Sequence, residues 1–140
     1  MHPTVESSLV FTSRSVELDF DAISRTLKLE ATGTRSLHKI LKSGVRPPLR
    51  SSEWWISTGS VEVDSLDDSL EKLFLLLGNP ESIRSTSAEL ECDVLVITRV
   101  TSDDVDDRPF YELGTITIGK LTAIGARWEL DVTGISRTKG

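Results

Sequence analysis

The chain has 140 residues, 38% of them hydrophobic and 27% charged, with a formal net charge of −6. That length suits one domain that buries most of its apolar surface around a single core, so residues 1–140 are read as one unit. The composition is that of a globular chain, no apolar run approaches the roughly 18 residues a membrane-crossing helix needs, and the negative balance argues against nucleic acid as a partner of the whole surface.

Residues 1–6 have no cationic start leading into an apolar stretch, so no signal peptide is expected. One cysteine cannot close an internal disulfide, which makes a reducing compartment, the cytoplasm, the default. Leu9, Val10 and Phe11 open a first strand, with Val5 and Val16 near its ends. Asp19 has the carboxylate of an N-cap, and Phe20, Ile23 and Leu27 then fall at helical spacing, so a short helix is predicted over 19–29. In the segment that follows, Leu37, Ile40 and Leu41 suggest a further helical turn or two, halted by Gly44 and by Pro47-Pro48.

Trp54, Ile56, Val61 and Val63 mark the next strand, with Gly59 as a bulge or a hairpin turn. Ser65 followed three residues later by Asp68 has the form of a capping box. Behind it Leu66, Leu70, Leu73, Phe74 and Leu77 make an apolar stripe, and Gly78 stands where a left-handed C-cap belongs. Asn79-Pro80 starts a second short helix to about Ser87. Residues 89–100 alternate like a central strand, with Leu90, Cys92, Val94 and Val96 on one face. Residues 101–109 read as a polar loop, 110–118 as strand, 119–125 as a short helical bridge and 127–132 as the last strand.

The chemistry-bearing residues are few. Cys92 sits between Glu91 and Asp93, which raise a thiol pKa, and reads as structural. His38 neighbours Lys39 and has no nearby acid to orient it. With two histidines and one cysteine, zinc would need an awkward ligand mixture. Asp103, Asp104, Asp106 and Asp107 lack the loop glycine and terminal Glu of a calcium loop. Gly114 to Lys120 matches the spacing of a phosphate-binding loop, but Leu121 replaces the Ser or Thr that should follow. The four β-branched residues between the glycines suit an extended strand. No cofactor, metal or catalytic residue is therefore assigned.

The strongest asymmetry is electrostatic. Residues 31–52 hold five bases, Arg35, Lys39, Lys42, Arg46 and Arg50, and no acid, while the rest of the chain carries 11 bases against 22 acids. A helix over 35–43 would set Arg35, Lys39 and Lys42 along one face as a cationic stripe. Adjacent strand residues face opposite ways, so one of Trp54 and Trp55 is core and the other is free to anchor an interface. Trp55, beside the basic segment, is taken as the anchor.

Residues 19–23 (Asp-Phe-Asp-Ala-Ile), with Leu27, Leu29, Thr32 and Thr34, resemble the opening of a bacterial family of uncharacterised proteins, domain of unknown function 4279. Trp54-Trp55-Ile56-Ser57 is similar to that family's Trp-containing strand, residues 66–77 to its amphipathic helix, and residues 116–131 to its closing strand, short helix and strand. Lys28 stands where the family often has Gly, and Ala31 where it has Pro. The resemblance implies a compact α+β domain and carries over no catalytic residue.

The resulting expectation is one α+β domain with a mainly antiparallel sheet of about five strands, packed on one face by two main helices. Its expected function is non-catalytic binding of another protein, with a toxin-neutralising, immunity-type role as one form of it. The alternative is a domain, conceivably enzymatic, that holds a phosphate or carboxylate of an anionic small molecule on Arg35, Lys39, Lys42, Arg46 and Arg50.

Overall fold

The structure, a computed structural model, describes residues 4–37, 51–102 and 112–134. Ten elements follow in order: β1 (Thr4–Ser13), α1 (Phe20–Leu27), β2 (Gly33–Arg35), β3 (Ser52–Ser57), β4 (Val61–Glu62), α2 (Leu66–Leu77), α3 (Pro80–Leu90), β5 (Asp93–Ser102), α4 (Thr115–Ala123) and β6 (Arg127–Gly134). The strands form one sheet in the order β2-β3-β1-β5-β6, with β4 also paired to β1. Every pairing is antiparallel except β5 with β6, which run parallel. The architecture is the expected α+β one, with six strands where about five were expected and four helices among the described residues.

Alternation in the central strands explains why the helices gather on one side. Leu9 and Phe11 of β1, Trp54 and Ile56 of β3, and Val94 and Val96 of β5 join Ile23, Leu70, Leu73, Leu77, Ile83, Leu121 and Ile124 from the four helices in one buried cluster. Burying a side chain such as Leu70 or Phe11 contributes about 1.5–3 kcal/mol. Phe11 and Trp54 meet edge to face, with ring centroids 5.7 Å apart. The Trp54 indole N–H donates to Ser24 Oγ at 3.0 Å, which ties α1 to the sheet.

The local signals hold where they are short-range. Asp19 accepts the Ala22 amide, Ser65 that of Asp68 and Asn79 that of Glu81, so α1, α2 and α3 each start on a side-chain cap, whereas α4 starts at Gly114 without one. Gly59, with φ of 75°, lies in a bulge and not in a hairpin turn. Ser8 faces Ser57 but Val5 faces Val61, so the β3–β4 side carries one extra residue opposite β1. Thr58 Oγ1 accepts the Ser7 amide there.

Two expectations are corrected. Residues 115–118 are not strand: they are the first turn of α4. Parallel strands cannot be joined by a tight turn, and α4 supplies the crossover from β5 to β6. Burial of Thr117, Leu121 and Ile124 on one helical face outweighs the few tenths of a kcal/mol that each β-branched residue costs a helix. The central strand begins at Asp93 and not near Glu89, because α3 continues to Leu90 and ends on Glu91 in a left-handed conformation.

Candidate binding face beside the basic segment

The face of the sheet opposite the helices is built by the same alternation. One row crosses five strands: Gly33, Trp55, Val10, Leu95 and Arg127 are successive register partners. Trp54 is fully buried on the core side, and Trp55 lies half-buried on the other. Its indole covers the α-carbon of Gly33 so closely that a Cβ there would come within 2.7 Å of Cε2. The neighbouring row is polar, running from Arg35 through Glu53 and Thr12 to Asp93.

Arg35 is the only expected basic site residue inside the described regions. It lies on strand β2, so the helix expected over 35–43 does not include it. Its Nη2 stands 2.7 Å from Glu53 Oε1 and donates to Ser51 Oγ at 3.0 Å. Both partners are partly exposed, and such a pair contributes about 0–1 kcal/mol. Nearby, the Leu37 amide donates to Glu17 Oε2 at 2.7 Å. Both ends of the basic segment are thereby fixed to the sheet. Lys39, Lys42, Arg46 and Arg50 lie outside the described residues, as do His38 and the acidic run at 103–107.

Beside these roots lies a shallow groove of about 670 Å³, floored by Leu95 and Ile97. Arg14, Arg35 and Arg127 line it, but so do Glu53, Glu91, Asp93 and Glu129. Arg127 also stands 3.5 Å from Glu129. The cations are balanced locally, so the groove does not concentrate positive charge as an anion pocket would.

Cys92 lines the same groove. Burial pushes its thiol from an ordinary 9.0 up to about 11, with Asp93 adding to the rise. It is a neutral thiol at physiological pH, as its acidic neighbours in sequence suggest. Among the described residues, no group of three His, Cys, Asp or Glu side chains is placed to hold a metal. The phosphate-loop spacing is set aside on firmer grounds than its β-branched residues. Gly114 is the N-cap of α4, Gly119 and Lys120 lie within the helix, and Lys120 pairs with Glu71 at 2.8 Å.

One buried polar feature escaped the sequence. Ser7, Ser69 and Thr98 are fully buried. Ser7 Oγ stands 2.7 Å from Ser69 Oγ and 3.3 Å from Thr98 Oγ1, which accepts the Trp128 indole N–H at 3.0 Å. The chain of hydroxyls joins β6, β5, β1 and α2. Its only sequence signal is that Ser7 and Thr98 fall at core-facing positions of apolar strands.

The model of a family described as "Domain of unknown function (DUF4279)" matches residues 3–134. The chain belongs to the DUF4279 family. No curated protein and no solved structure matches it. Lys28 closes α1 in the left-handed conformation, at φ 56° and ψ 40°, which a side chain disfavours and Gly does not.

Proposed function

We propose that this DUF4279 domain is a non-catalytic binding protein whose partner is another protein, docked on the sheet face opposite the four described helices, beside the 35–50 segment. The observation that supports this most directly is Trp55, packed closely against Gly33 beside the roots of a segment whose bases include Lys39, Lys42, Arg46 and Arg50. A half-buried aromatic on the same sheet face as Arg35, where a basic segment begins, has the composition of an interface anchor. The groove's balanced charges weigh against the other reading, a site for a phosphate or carboxylate. An immunity-type role, neutralising a toxin in the bacterial cytoplasm, is the particular form of this reading we favour by analogy. A single cysteine, which cannot close an internal disulfide, is compatible with that compartment.

The test begins with capture of a partner and is decided with purified components. Affinity would be measured for wild type, for Trp55→Ala and for Lys39, Lys42 and Arg46 reversed together to Glu. The expected result is a weakening of about tenfold or more in both variants. Unchanged affinity in both would refute the reading, and a stoichiometric small anion in place of a protein would establish the alternative.

A further inference from the structure

The amphipathic stripe of α2 does not account for Leu75. It points away from the core and is 75% exposed, which a soluble helix has no need of at that position. Two concavities meet at it. On one side is an apolar groove of about 170 Å³ between α2, α3 and α4, walled by Phe74, Pro80, Ile83 and Ile124. On the other is a groove of about 480 Å³ that shares Leu75 and Glu71 with the first and is lined further by Glu62, Asp64, Asp68 and Lys72.

Size and charge together select the occupant. Pockets that enclose a small-molecule ligand hold about 300–1,000 Å³, so the apolar groove is too small for a metabolite and matches a single aliphatic or aromatic side chain. Lys120 is not available to attract an anion at its rim, since it pairs with Glu71 and stands 5.6 Å from the Phe74 ring centroid. With Glu71 paired to Lys120, the second groove still sets Glu62, Asp64 and Asp68 against Lys72. A second copy presenting the same face would bring like charges together, and an anionic lipid surface would be repelled for the same reason.

We propose that the helical face around Leu75 is a docking site for a cationic polypeptide segment. One apolar side chain of the segment enters the groove between α2, α3 and α4, and its Lys or Arg residues lie over Glu62 and Asp68. This surface lies on the side of the sheet opposite Trp55 and is independent of it. A hydrophobic anchor flanked by complementary charge gives both affinity and steering.

The experiment pans a random short-peptide library against the purified full chain. Selected peptides are then titrated into wild type and into Leu75→Glu, Asp68→Lys and Trp55→Ala. Leu75 and Asp68 are exposed, so these two variants are expected to fold, which circular dichroism and melting would verify. The expected outcome is enrichment of basic peptides carrying an apolar residue. Their binding should weaken about tenfold or more in Leu75→Glu and Asp68→Lys and fall with added salt, with no change in Trp55→Ala. Enrichment without a positive bias, no enrichment, or binding indifferent to Leu75→Glu and Asp68→Lys would each overturn the proposal.

Discussion

The Trp55 indole rests on Gly33 where a side chain would otherwise stand, so the edge strand β2 is held by an aromatic ring as well as by its ladder. A methyl group at Gly33 cannot be accommodated unless the ring moves. Gly33→Ala is therefore expected to destabilise the fold by about 1–3 kcal/mol, the usual cost of overpacking. Urea unfolding followed by tryptophan fluorescence measures it, and a change in Trp55 emission should accompany the loss.

The hydroxyl chain of Ser7, Ser69 and Thr98 is enclosed, so removing one member strands another. Ser7→Ala and Ser69→Ala are each expected to cost about 1–3 kcal/mol, the penalty for an unsatisfied buried polar group. The double variant should cost less than the sum of the two, because each single change already breaks the 2.7 Å contact. A double-mutant cycle in denaturant reads this directly.

Lys28 holds a positive φ of 56° at the end of α1. Lys28→Gly should stabilise the protein by about 1 kcal/mol, since it removes the steric cost of Cβ in the left-handed region. A rise in melting temperature is the expected reading, and a fall would show that the Lys28 side chain has a compensating role.

Gly119 lies inside α4, and a Cβ built there meets nothing within 4 Å. Gly119→Ala is expected to add about 0.5–1 kcal/mol through helix propensity alone. Thermal melting of the variant measures the gain.

Cys92 should resist alkylation near neutral pH and react progressively faster as pH rises toward about 11. Because the fold favours the protonated thiol, the folded state binds more protons than the unfolded one between pH 9 and 11. Stability must therefore fall as pH rises through that window. Comparing the wild type with Cys92→Ala isolates this contribution from that of other groups titrating there.

These expectations show which parts of the molecule were written locally. The caps at Asp19, Ser65 and Asn79 depend on residues two or three positions away, and the opposed faces of Trp54 and Trp55 follow from strand geometry, so both were legible. Residues 115–118 were not, because β propensity measures fit to a half-buried pleated surface and a crossover helix offered those residues a buried face instead. The meetings of Gly33 with Trp55 and of Ser7 with Ser69 and Thr98 are matters of strand order and register, which no local pattern encodes. The outward direction of Leu75 was legible, since it falls off the apolar stripe of α2; the concavities beside it were not, since they depend on how the helices pair.

The clasp between Arg35 and Ser51, sixteen positions apart in sequence, separates two kinds of evolutionary freedom. The ladder between β2 and β3 pairs Gly33, Thr34 and Arg35 with Trp55, Trp54 and Glu53, and takes no register partner from residues 38–50. That ladder therefore sets no condition on the length or charge of residues 38–50.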